Sequence, residues 1–385
     1  MTTEAEHTSA AEAEAGKGLT GKLYVMSNQA TGNSVTVFDR DIDGGLTRGG
    51  TFPTGGLGVG GVTNPLDSLL SQGALALSED HRFLFAVEAG SDEISVLGVD
   101  DDTLTVVDRV PSGNTFPVSV TVRENLLYVL HRGATGDSSV NGFTVGQDGK
   151  LSVLPDSSQM LVGGENAAPA QVQFSPDGTQ LVVSERTNNL IDVLPLDETG
   201  HAGAPVQNAS SGPGPFGFAF AGEDLLIVTE LDAAATSSYR LAEDGTLTVI
   251  SGSVSTAEEG ACWMAIKNTT EPPFAYTSNA VSGSISGYTI DDGGALSLLN
   301  ASGHTAVTVG SNAALDSAVS SDGRFLYILT GGFSETAENP IICNPMSISA
   351  FKIEDNGNLT TILGARGRPP AIDGLAPGSQ GIVAT

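Results

Sequence analysis

The chain ends on Ser379-Gln380-Gly381-Ile382-Val383-Ala384-Thr385, and the same opening occurs far upstream in Ser71-Gln72-Gly73, followed by Ala74-Leu75-Ala76-Leu77-Ser78. Two segments that share an opening and an apolar continuation read as equivalent strands in two copies of one repeated unit. The later copy is the last strand of the chain, so its partners must lie elsewhere, and the strands that start at Gly21 lack such a partner. The tail therefore completes a sheet that the N-terminal segment begins, and the repeat closes on itself as a ring. This reading predicts an all-β chain folded as a seven-bladed β-propeller with four-stranded blades, its ring closed by pairing of the C-terminal strand with the N-terminal blade.

Three landmarks recur along the chain. The first is a strand with alternating apolar residues that opens at Leu23, Leu84, Leu127, Leu181, Leu226, Phe274 and Leu326. One strand later comes a large apolar residue, at Phe38, Leu97, Phe143, Leu194, Tyr239, Tyr288 and Phe351, with separations of 59, 46, 51, 45, 49 and 63 residues. A turn leading into an outer strand follows at Leu46, Leu104, Leu151, Leu247, Leu296 and Leu359, with a degenerate copy between Gly200 and Val206. The series drift together, so insertions fall in loops while each unit keeps its internal register. Innermost strands are expected at Gln72–Ser78, Pro117–Val122, Ala170–Ser175, Phe216–Ala221, Cys262–Lys267, Leu315–Ser320 and Gln380–Thr385. The rival architecture, two β-sandwich domains, requires a linker that the composition does not offer. Residues 1–20 are expected to be a disordered acidic tail and residues 21–385 a single domain.

Composition narrows the function. The chain carries 45 acidic and 16 basic residues, a formal charge of -29, and the summed field of such a molecule repels nucleic acid and anionic membranes. Residues 1–15 have neither the basic start nor the apolar stretch of a secretion signal, which points to a cytoplasmic location. Two cysteines, Cys262 and Cys343, are too few for a cysteine-rich zinc site, although one bridge between them is compatible with the sequence. Phosphate-cradling glycine loops, a Gly-x-Ser-x-Gly elbow and a His-Glu-x-x-His pair are all missing from the sequence. No cofactor is therefore expected, a divalent ion in the channel being the one alternative left open. The expected partner is a small-molecule substrate, with the long loops Gly55–Leu70 and Gly331–Pro345 able to cover the channel mouth or to hold a protein.

Aligned on their leading apolar residue, the second strands end in Ser27, Glu88, His131, Glu185, Glu230, Ser278 and Thr330. Strand side chains alternate, so this column should face one way in every blade and form a ring of carboxylates with one imidazole near the channel mouth. Glu230 and His131 are the candidate acid–base groups, and Arg132, in the next column, is the candidate partner of an oxyanion. Candidate substrate contacts are Glu88, Glu185 and Arg186 from the strand ends, together with Gln72, Gln171, Phe216, Trp263, Asp316 and Gln380 from the inner strands. The plainer alternative for the carboxylates is a set of solvated strand ends. Cys262 could serve as a nucleophile only beside a base, and is otherwise a small buried apolar residue. No metal ligands are assigned.

The phrases Gln171-Val172-Gln173-Phe174-Ser175-Pro176-Asp177-Gly178, Gly214-Pro215-Phe216-Gly217-Phe218-Ala219-Phe220, Thr229-Glu230-Leu231 and Thr277-Ser278-Asn279 resemble the lactonase family of seven-bladed propellers, over nearly the whole chain from Gly21. That family includes 6-phosphogluconolactonase and the carboxymuconate-lactonising enzyme. The resemblance implies a histidine, arginines and a glutamate at the channel mouth. Only the glutamate carries over, as Glu230. The histidine position falls on Ala170, an Arg-His pair falls on Phe216-Gly217, and a further arginine falls on Ala280. Without those cations a polyanionic substrate would lack charge-assisted bonds worth about 1.5–3 kcal/mol each. The expectation is therefore hydrolysis of a neutral, partly hydrophobic lactone or ester. The alternatives are an isomerase or lyase using the same residues, and a binding propeller without chemistry.

Overall fold

The computed structural model describes residues 18–60, 67–133, 137–164, 167–308, 313–331, 333–336, 339–343, 346–362 and 374–385. Residues 1–17, most of the expected acidic tail, lie outside them, as do parts of both long loops. Within the described residues, seven antiparallel sheets follow one another, each built from an inner strand outward. Blades 2 to 6 run in chain order. Blade 7 takes the hairpin Phe333–Thr336 and Asn339–Cys343 between its second and third strands. In blades 3 and 6 a two-residue segment, Gln159–Met160 or Ala306–Val307, adds to the edge of the third strand.

Blade 1 is the one the sequence singled out. Its strands Leu19–Met26, Ser34–Asp41 and Leu46–Pro53 are completed on the inner side by Ile382–Ala384, with Leu23 opposite Ala384, Tyr24 opposite Val383 and Val25 opposite Ile382. Arg40 locks this junction from a fully buried position. Its guanidinium donates to Thr385 O at 3.1 Å and Thr20 O at 3.3 Å, pairs with Asp322 of blade 7 at 3.1 Å, and lies over the Phe325 ring. Such a charge is tolerable in the interior only because each face of it is bonded.

The alternating apolar residues of each strand pack against the neighbouring blade, so the core is a series of inter-blade layers. Tyrosines on second strands fasten successive blades at the same place: Tyr128 donates to Gly200 O at 2.7 Å, Tyr276 to Gly357 O at 2.8 Å and Tyr327 to Gly44 O at 3.0 Å. Burying the ring while bonding the hydroxyl satisfies both halves of the side chain.

Observed pairing corrects one register. The large apolar residue of the third strand faces Leu84, Leu127, Leu181 and Leu226 in blades 2 to 5, but in blade 6 Tyr288 faces Ala275 and Phe274 faces Thr289. Aligning blade 6 on Phe274 therefore slips by one residue, and its member of the second-strand column is Asn279 rather than Ser278.

Candidate functional site

The second-strand column is buried throughout, with Glu88, His131, Glu185, Glu230 and Asn279 all at 0% exposure, which overturns the solvated alternative. Its glutamates bond to strands and crossover loops of their own and the preceding blade and not to the channel. Glu230 accepts Gly212 N–H at 2.8 Å and the Ser237 and Ser253 hydroxyls at 2.6 Å each, groups from the incoming crossover and from the third and outer strands of its own blade. Glu88 accepts from Asn33 at 3.0 Å and sits beside the Thr54 and Ser95 hydroxyls, and burial raises its pKa. Glu185 accepts Gly163 N–H at 3.3 Å and Asn188 at 2.9 Å. A Cβ on the crossover residues Gly56, Gly163 or Gly212 would stand 2.2–2.4 Å from the respective glutamate, so each glutamate fixes the loop that enters its blade against a glycine. The third strand contributes a polar residue at the same level in every blade: Thr36, Ser95, Asn141, Asp192, Ser237, Ser286 and Ser349. Sequence reasoning missed this column, though it stands two places before each large apolar landmark.

Blade 4 differs from blades 2 and 5 in carrying a carboxyl, Asp192, where they place a serine. Asp192 is fully buried and its oxygens meet no partner at hydrogen-bond geometry among the described residues; burial and then Glu185 push its pKa up. His131 is equally enclosed. Neither ring nitrogen has a partner at hydrogen-bond geometry among the described residues, and burial pulls the imidazole down to about 4, only partly offset by the Ser112 and Ser139 backbone. It is a neutral interior histidine at physiological pH.

The inner-strand candidates do converge on the axis, where they bond one another's backbones. Gln72 of blade 2 reaches across the bore to blade 6, donating to Met264 O at 2.8 Å and accepting Met264 N–H at 2.9 Å. Trp263 Nε1 returns the link by donating to Ser71 O at 2.9 Å. Gln171 bonds both backbone groups of Phe218, at 2.7 and 2.9 Å. Asp316 accepts from Ser317 N–H at 2.9 Å and Gly381 N–H at 3.1 Å, and burial raises it to about 7. Below these links lies a cavity of about 300 Å³, lined in part by Thr121, Gln173 and Ser317. A larger open groove, about 700 Å³, lies between the strand turns of blades 4 and 5 on the opposite face, among Asp177, Glu223, Asp224 and Glu243.

Above the cross-links, the positions where the resemblance implies cations are apolar. Ala170, Phe216, Cys262 and Trp263 belong to one buried cluster, with Ala280, Leu231 and Leu70 packed against it; Phe216 meets Trp263 edge to face, with centroids 5.4 Å apart. Gly217 admits no side chain, because a Cβ would lie 2.1 Å from Gln72 Oε1. Cys262 is a free thiol whose pKa burial holds well above its usual value, which removes it as a ready nucleophile. The side chain of Cys343 lies outside the described residues.

Among the described residues the charges at this mouth include Asp67, Arg132 and Arg186, with Asp232 and Asp316 in the same field. Sequence reasoning passed over Asp67, which lies in a loop without periodicity. Segment 67–71 enters the mouth and is held at every residue. Asp67 Oδ1 accepts Leu70 N–H at 2.6 Å and a bond from Gln380 Nε2; Arg132 Nη2 donates to Leu69 O; Gln380 Oε1 accepts Leu69 N–H at 2.8 Å; and Asn28 donates to Ser68 at 3.1 Å. The carbonyl of Leu69 and the N–H of Leu70 are one peptide unit, gripped by a guanidinium on its oxygen and a carboxylate on its nitrogen. Burial raises Asp67 to about 6, against the Leu70 and Gln380 bonds and the attraction of Arg132 and Arg186; burial likewise lowers Arg132 to about 10. No group of three metal-ligating side chains occurs among the described residues, and no helix among them is long and apolar enough to cross a membrane.

Solved structures of similar fold cover almost the whole chain. A protein of Lactobacillus plantarum is 17% identical with a TM-score of 0.70, covering 96% of this chain and 100% of its own. A periplasmic gluconolactonase of Pseudomonas aeruginosa is 16% identical with a TM-score of 0.68, covering 95% and 99%. A Bacteroides fragilis protein provisionally assigned as a 6-phosphogluconolactonase is 16% identical with a TM-score of 0.63, covering 95% and 98%. At such identities the likeness concerns the fold. No curated protein matches the sequence. The family model for the seven-bladed β-propeller lactonases matches residues 20–136 and 134–264, and with the closed ring of seven sheets it establishes that this chain belongs to the lactonase family.

Proposed function

We propose that the chain is a hydrolase of a neutral lactone, acting at the channel mouth where Asp67 and Arg132 grip the Leu69–Leu70 peptide above the floor of Phe216 and Trp263. That grip is the observation on which the reading rests. A lactone shares the peptide's carbonyl oxygen, which Arg132 can hold, while its ring oxygen carries no proton, so Asp67, freed of the Leu70 N–H, is left to accept from a water. With a lactone in that place, Arg132 polarises the carbonyl and holds the negative charge that develops on its oxygen, and Arg186 adds to the field. Asp67 as carboxylate takes a proton from an attacking water. The new C–O bond forms, the ring C–O bond breaks, and the departing alkoxide takes the proton from Asp67, leaving a hydroxy acid and a regenerated carboxylate. A carboxyl near 6 is largely ionised at pH 7 yet still basic enough for this task.

A neutral substrate is favoured by the floor, where Ala170, Phe216 and Ala280 stand in place of three cations and leave Arg132 and Arg186 to the carbonyl, and by the formal charge of -29, which repels polyanions and helps the acid product leave. Acid release from a panel of neutral γ- and δ-lactones tests the reading. The wild-type rate should rise with pH through about 6 as Asp67 ionises. Asp67→Asn should lose roughly 10²–10⁴-fold and Arg132→Gln roughly 10²–10³-fold. Full turnover by Asp67→Asn refutes the mechanism, and a chain that opens none of the lactones is a binding propeller.

A further inference from the structure

Segment 67–71 occupies the place where, on the reading above, a substrate belongs. We propose that Leu69–Leu70 is a built-in occupant of the mouth, and that the ligand displacing it is a carbonyl compound carrying an alkyl chain of about the size of the leucine side chain. The inference rests on the hydrolase reading for the word lactone, but the ligand chemistry comes from the segment itself.

Three observations carry it. Leu70 packs against the apolar cluster of Ala170, Phe216, Cys262 and Trp263, so its four-carbon side chain fills the volume an alkyl substituent would take. Its backbone stands at φ 49°, in the left-handed region that a branched side chain rarely adopts, and it is kept there by the Asp67 bond to its N–H. Releasing Leu69–Leu70 removes a partner from three polar groups together, the Arg132 guanidinium, the Asp67 carboxylate and the Gln380 carboxamide oxygen, the last two keeping their bonds from Gln380 Nε2 and Asn28. These are a donor for a carbonyl oxygen and two acceptors, whereas the apolar floor offers nothing to a second charge. Asp67 and Ser68 keep their ties to Gln380 and Asn28, so the displacement pivots about them.

The single tryptophan reports the event directly, because Trp263 Nε1 donates to Ser71 O at the end of the segment. The probes are γ-lactams bearing a methyl, butyl or octyl chain, which keep the carbonyl and resist hydrolysis. Titration followed by tryptophan emission should give an affinity that rises from methyl to butyl and levels off at octyl. Leu70→Gly vacates the apolar volume, a loss of burial that outweighs the relief of the positive φ in the seated segment, and should bind the butyl probe about tenfold more tightly. If Leu70→Gly does not fold, Leu70→Asn serves, since asparagine also tolerates positive φ. Hydrogen exchange at the Leu69 and Leu70 amides should accelerate when the butyl lactam is bound. Equal affinity for all three chains, an unchanged affinity in the folded variant, or amides that stay protected in the complex overturns the proposal. Chain-length-dependent lactam binding without opening of any lactone sinks the hydrolase reading and leaves this one standing; lactone opening indifferent to chain length does the reverse.

Discussion

Replacing Asp192 by serine makes blade 4 chemically like blade 5, where Ser237 donates to Glu230 at 2.6 Å. In the native chain two buried carboxyls, Glu185 and Asp192, face one another, and burial together with the Glu185 charge pushes Asp192 up to about 8. An unfolded aspartate titrates near about 3.9. Between these values the folded chain binds one more proton than the unfolded chain, so this pair's contribution to stability is complete at low pH and is lost as the pH climbs towards the folded value. The loss approaches about 1.4 kcal/mol per pH unit, or up to about 2.7 kcal/mol from pH 5 to pH 7, since Asp192 is wholly enclosed. At roughly 2 cal/mol/K of unfolding entropy per residue, a chain of this length turns that into a shift of about 3 °C in Tm. Urea unfolding of both proteins at pH 5, 6 and 7 isolates the effect, because the other titrating groups cancel in the difference. Asp192→Ser should gain on the wild type steadily as the pH rises. A difference that stays constant across the range refutes the raised titration of Asp192.

Arg40→Met should cost about 1–3 kcal/mol in urea unfolding, because it leaves the Thr385 and Thr20 carbonyls at the ring junction without their buried donor; no measurable loss would mean that the strand pairing alone holds the closure. Glu230→Gln should destabilise the chain by about 1–3 kcal/mol while leaving kcat/KM of the folded protein unchanged, and a selective loss of kcat would return Glu230 to the reaction. Gly212→Ala forces a methyl group towards Glu230 Oε2 and should cost about 1–3 kcal/mol; a neutral result in thermal unfolding contradicts the close packing of the crossover.

Fold and site differ in how far the sequence carries them. Strand order and ring closure follow from period-two alternation and from the repeated Ser-Gln-Gly, because a strand's face and its place in a repeat are local properties. The slip in blade 6 arises where Pro272-Pro273 precedes the strand and Phe274 imitates the leading apolar residue that Ala275 in fact replaces. The ring of carboxylates is misplaced for a different reason. Alternation identifies the face on which Glu88, Glu185 and Glu230 lie, but which groups meet them on that face depends on crossover glycines from the preceding connection. Gly56, Gly163 and Gly212 stand in the sequence as a signal, and it becomes readable once the blades are aligned. Asp67 offers no such signal, since its position comes from an irregular loop threaded against Gln380 and Arg132. Phe216 and Trp263 are carried to the mouth by inner strands, and Arg132 and Gln380 stand in the residues that flank strands Leu126–His131 and Ile382–Ala384, where period-two alternation still places them.

The Gln72–Met264 and Trp263–Ser71 links tie blades 2 and 6 together through the middle of the ring. A barrier there turns a tube into a cup. On the proposed reading, a ligand that arrives at the rim near Arg132 departs by the same rim, so admission and discharge share one doorway and are paced by the same small rearrangement of Leu69 and Leu70.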